Sequence, residues 1–161
     1  MNEATYSAGT QGSELHEDYL LELGRATFEA SCLAGISFDL LRVFGDVDSA
    51  AMYDDPMGTL VSRLGKLSKG YSGWEELSTF VADLDDARVM RNDLLHALPV
   101  HNGLHRRRSK DGYYVRNFFT VESLSDVYRV FHELHLRGNQ LLYSDGGAAA
   151  TAWYERQRAP D

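Results

Sequence analysis

At 161 residues, 43% hydrophobic and 25% charged, the chain has the size and make-up of one globular domain with its own core. Its 24 acidic against 16 basic side chains leave a net charge of −8, which argues against a non-specific nucleic-acid coat. One cysteine, Cys32, excludes both a disulfide framework and a cysteine zinc cluster, and no apolar run approaches the roughly 20 residues that span a bilayer. The opening MNEATYSAGTQGSE has neither the basic start nor the apolar block of a signal peptide, so a cytoplasmic location without a membrane partner is expected.

Residues 1–12 read as a flexible polar start, 13–147 as one helical domain, and 148–161 as a tail with room for a short helix. The first helix is expected from about Ser13 to Val43, with Leu23, Ala26, Ala30, Ala34, Phe38 and Leu41 on one stripe. Its alanines admit a close helix neighbour. Gly45 and the polar run to Pro56 end it, and a second helix follows from about Met57 to Lys69, stopped by Gly70. Ser72 and Glu75 have capping-box spacing and open a third helix that ends before Pro99. Between His101 and Phe119 the pattern changes, and Asp111-Gly112 marks the turn of a β-hairpin. Thr120 caps a last long helix with Leu124, Val127, Phe131, Leu134 and Leu141 inward, closed by Gly146-Gly147. The expectation is an all-α bundle of four to five helices with a small β-hairpin after the third.

The third helix carries an anomaly. Leu98, Leu94, Arg91, Ala87, Leu84 and Phe80 recur at steps of three and four, so an arginine stands in the middle of a core stripe. A guanidinium keeps its proton, and an inward one calls for a carboxylate, a polar surface or a phosphate. His96 follows Asn92 by four residues and shares its face. The window from Arg91 to Arg116 holds six basic and two acidic side chains, a net +4 that leaves −12 on the rest. Arginine outnumbers lysine 13 to 3, which would allow for phosphate work, but codon bias in a GC-rich genome explains most of it.

Arg91-Asn92, three further residues and His96 resemble the defining motif of the HEPN superfamily: an arginine, four to six residues of which the first is polar, and a histidine late in a bundle helix. The match is confined to Arg91–His96 at residue level and extends to the bundle in outline, so that the expected fold is a HEPN-like bundle. The hairpin after the motif helix departs from the plainest form. What the resemblance implies is a metal-independent endoribonuclease, without cofactor, of toxin–antitoxin or antiviral defence type. It would act as a homodimer whose motif helices face one another across a two-fold axis, on an RNA substrate and under an antitoxin or other regulatory protein. His96 would be the general acid or base for attack by the RNA 2′-hydroxyl, Arg91 would stabilise the phosphate, and Asn92 would orient either. An imidazole ordinarily changes charge between about pH 6 and 7, which suits this chemistry. In one branch of the family a nucleotidyltransferase antitoxin modifies a tyrosine two residues after the histidine; Leu98 stands there, which puts that route of silencing in doubt. Other members have a silent motif and bind nucleotides or partner proteins, which is the alternative reading.

Each element also has a plainer reading. Arg91 could pair with Glu22 or Glu133 across the bundle, and His96 could be a histidine that complements a helix end. Arg106, Arg107 and Arg108, with His101 and His105, are candidate RNA contacts, but the arginines equally make a solvated hairpin edge that resists aggregation. Tyr113, Tyr114, Phe118 and Phe119 could stack bases or pack on the bundle. His132-Glu133-Leu134-His135 has a spacing of three rather than the four of a zinc-protease helix and no evident further ligand, so it reads as a solvated face, and no metal is expected.

Overall fold

The computed structural model describes residues 15–45, 47–71, 75–100, 103–110 and 113–145. The expected flexible start, Ser72, His101, the Asp111-Gly112 turn, the Gly146-Gly147 stop and the tail lie outside them. The described chain forms helices α1 (Glu17–Phe44), α2 (Met57–Ser68), α3 (Glu75–Leu95) and α4 (Val121–Gln140). Strands β1 (Leu98–Val100), β2 (Gly103–Lys110) and β3 (Tyr113–Phe119) make an antiparallel sheet in that order between α3 and α4. A 3-10 turn, Ser49–Met52, follows α1, and a π-type turn, Leu141–Asp145, continues α4. The expected helical bundle with a small hairpin is present. None of the described helices is long and apolar enough to cross a membrane.

Helix directions follow from the side chains that meet. Arg25 lies over Tyr128, Glu29 meets His132 and His135, and Ile36 lies beside Gly138, so α1 and α4 run parallel. Asp83 bonds Arg137, while Glu75 and Glu76 lie near Gln140 and Leu141, so α3 runs antiparallel to α4. Gly58 approaches Arg88 and Gly65 approaches Val81, so α2 is antiparallel to α3. Leu33, Leu40, Leu64, Leu77, Phe80, Leu84, Leu124 and Phe131, all buried to within 1%, fill the space between them.

Three details differ from the sequence expectation. Helix α1 opens at Glu17, because His16 leaves helical geometry, and its buried line is Ala26, Ala30, Leu33, Ser37 and Leu40; Leu23, Ala34 and Phe38 only flank it. Pro99 does not merely stop α3: it lies in β1, an edge strand, where a missing N–H is tolerated. Leu98, expected inward, is therefore exposed. The hairpin register, Lys110 opposite Tyr113 through His105 opposite Phe118, leaves the two expected residues, 111 and 112, as the connection. Thr120 caps α4 through a reciprocal pair of bonds with Ser123, whose amide donates to the Thr120 hydroxyl at 3.2 Å.

Candidate functional site

Within α3 the Arg91 stripe holds, with Phe80, Leu84, Ala87 and Leu94 buried around a half-buried Arg91, while Leu98 leaves it for β1. Among the described residues no carboxylate pairs with Arg91: Glu22 engages Arg25 at 2.9 Å, and Glu133 is exposed. Its Nε is buried without a hydrogen-bond partner, and burial pulls the guanidinium below the usual arginine range. A desolvated cation without a counter-charge is a place for an anion.

His96 lies just beyond the helix, held in its geometry by its amide, which donates to the Asn92 carbonyl at 3.1 Å. Its side chain is exposed at the C-terminal end of the helix. Asn92 is half-buried. Five residues at 100° each put Arg91 and His96 about 140° apart around the axis, so one chain does not turn both toward one phosphate. Around them Val89, Leu95 and Leu98 are exposed apolar side chains.

Arg106 turns back onto this helix end: it donates to the His96 carbonyl at 3.2 Å and lies 3.7 Å from the Asp93 carboxylate. It thereby ties β2 to an orphan carbonyl of α3. His105 is buried and packs beside the Phe118 ring at 5.9 Å, so its environment is that of a sheet residue and not of an open cleft. Arg107 and Arg108 continue β2, with their side chains outside the described structure. Phe118 and Phe119 line an apolar cavity of about 560 Å³ with Tyr19, Val100, Leu104 and Val121. The Tyr19 hydroxyl accepts the Leu104 N–H at 2.8 Å, and Gly103 passes so close that a Cβ there would lie 3.1 Å from Tyr19.

The solvated-face reading of His132 and His135 is corrected by Glu29. This carboxylate of α1 is 5% exposed, and it takes His132 Nδ1 on Oε1 at 2.9 Å and His135 Nδ1 on Oε2 at 2.8 Å. Glu133, between them, is exposed. The His132 ring stacks on Tyr128 at 5.5 Å. Burial first, and then the Glu29 carboxylate three residues back, push the Cys32 thiol up. The signal was in the sequence: Glu29 stands between Ala26 and Ala30 on a core stripe, the same kind of anomaly as Arg91. The donor atoms of Glu29, His132 and His135 all lie within 4.8 Å of one another.

Comparison with protein-family models, with curated proteins and with solved structures gives no match to this chain.

Proposed function

We propose that the chain is a HEPN-like, metal-independent endoribonuclease that cleaves RNA as a homodimer. The observation that carries this reading is the half-buried Arg91 guanidinium, which has no carboxylate partner among the described residues and stands five residues before an exposed His96. The roughly 140° between the two side chains makes a single chain an incomplete site. A second copy across a two-fold axis supplies the missing group and covers exposed Val89, Leu95 and Leu98.

In that cleft Arg91 binds the scissile phosphate and offsets the charge that grows on it. One His96 takes the proton of the 2′-hydroxyl as its oxygen attacks the adjacent phosphorus. The bond from phosphorus to the 5′-oxygen breaks, and the partner subunit's His96, as imidazolium, protonates the leaving oxygen. The products are a 2′,3′-cyclic phosphate and a 5′-hydroxyl. Asn92 orients the imidazole or the phosphate. The acidic remainder of the chain, −12 outside the motif window, favours short selective contacts over a long RNA track. A toxin or antiviral role under a regulatory partner in the cytoplasm belongs to the same reading.

The engagement of Arg106 at the His96 carbonyl favours a second reading, in which the end of α3 is structural and the domain is a silent module that binds a nucleotide or a partner. A matched pair of oligonucleotides separates the two. An RNA that is cut, while its copy with a 2′-deoxy sugar at the cut position stays whole, supports the hydroxyl mechanism; equal fates for both strands rule it out.

A further inference from the structure

We infer that Glu29, His132 and His135 form a binding site for one divalent transition-metal ion of the zinc class, joining α1 to α4. The site is independent of the ribonuclease reading. Glu29 lies ten residues beyond Tyr19, which touches the sheet, so it stands about 15 Å along the bundle from that end.

The donor set is two imidazoles and a carboxylate, the set that suits zinc and its neighbours. Spacing on α4 puts both rings on one face one turn apart, and the parallel course of α1 brings Glu29 between them. Both carboxylate oxygens are directed at imidazole Nδ1 atoms, and no lysine, arginine or backbone N–H shares Glu29 among the described residues. The two imidazoles satisfy both carboxylate oxygens, and a metal ion set among the three groups would keep that buried charge paired. Bonds of about 2.0–2.1 Å around a tetrahedral ion need donors roughly 3.3 Å apart. The Nδ1 atoms now sit 2.8–2.9 Å from the carboxylate oxygens, so each nitrogen–oxygen pair opens by about half an ångström to admit the ion.

The surroundings hold the ligands in place. Tyr128 stacks on His132 at an interplanar angle of 20°, and the Arg25 guanidinium lies 5.9 Å from the Tyr128 ring, on the same side of the bundle. His132 keeps 41% and His135 26% of its side-chain surface exposed, which gives the ion a way in and leaves a coordination position for water. Binding requires a free lone pair on each Nδ1. A neutral ring provides it by moving its proton to Nε2, and an imidazolium releases one proton.

The test uses the full chain freed of metal with EDTA and dialysed, then titrated with zinc chloride alone by calorimetry and melted with and without the ion. One ion per chain is expected. At a hundredfold excess over Kd the melting temperature should rise by about 5–10 °C. His132→Gln, at the more exposed ligand, and Glu29→Gln, which keeps shape without charge, should each weaken binding at least tenfold. Circular dichroism verifies that each variant is folded. Arg91→Ala should bind zinc like the parent, whatever its effect on RNA. Failure of the folded parent to bind one equivalent, or unchanged binding in folded His132→Gln and Glu29→Gln, would overturn the inference.

Discussion

Helix α4 passes α1 and α3 at Gly138, and replacing that residue with alanine tests how tightly the three are packed. A methyl group there overlaps Ile36 Cγ2 and lies 3.2 Å from Phe80 Cζ. Neither neighbour has room to withdraw, since Ile36 is 5% and Phe80 0% exposed. A β-branched side chain in a helix also has one strongly preferred rotamer. Alanine gains about 1 kcal/mol of helix propensity over glycine. Forcing a methyl into a filled core costs about 1–3 kcal/mol, and contact with two confined side chains calls for the upper part of that range. The net loss is then about 1–2 kcal/mol. For a chain of this size it lowers the melting temperature by roughly 3–6 °C. Urea unfolding should show a lower midpoint at unchanged slope. Ile36→Leu moves the branch methyl away at constant volume, so in that background Gly138→Ala should lose about 1 kcal/mol less. A Gly138→Ala protein as stable as its parent would refute the close crossing, and with it the α1–α4 spacing that brings Glu29 to the two histidines.

Two further substitutions test contacts at the sheet end. Arg106→Ala removes a bond to the His96 carbonyl and an ion pair with Asp93 that is partly exposed, so chemical denaturation should show a loss of about 1 kcal/mol. A role confined to that anchor leaves RNA affinity unchanged, and a large loss of RNA binding without loss of stability would contradict it. Tyr19→Phe leaves the Leu104 N–H without its acceptor, for a loss of about 1–2 kcal/mol. Burial raises the Tyr19 phenol above its usual 10.0, so the folded state holds that proton more tightly than the unfolded one. The resulting stabilisation is complete below about pH 10 and fades as the medium rises through the higher folded value. Unfolding measured from pH 8 to 11 should show that alkaline loss in the parent and less of it in Tyr19→Phe.

The features legible in the sequence were those with local causes. Periodicity placed Arg91 on the α3 stripe, the two-residue spacing between the strands agrees with the hairpin register, and Thr120 marked the start of α4. What escaped depended on contacts distant in sequence. The sequence separation of 103 between Glu29 and His132 hid the triad, because a three-residue spacing on α4 means little until α1 supplies the third group. Strand β1 was hidden because Pro99 signals a helix stop, and only pairing with β2 makes the same residue an edge strand. Arg106 read as a free cation within a basic run, while its actual partners belong to the preceding helix.

The most direct test of the ribonuclease reading is cleavage of a labelled RNA panel in EDTA by folded parent, Arg91→Ala and His96→Ala, with analysis of the product ends. Only the parent is expected to cut, leaving 2′,3′-cyclic phosphates and sparing DNA of the same sequence. No cleavage by the folded parent, or equal cleavage by all three proteins, would contradict it.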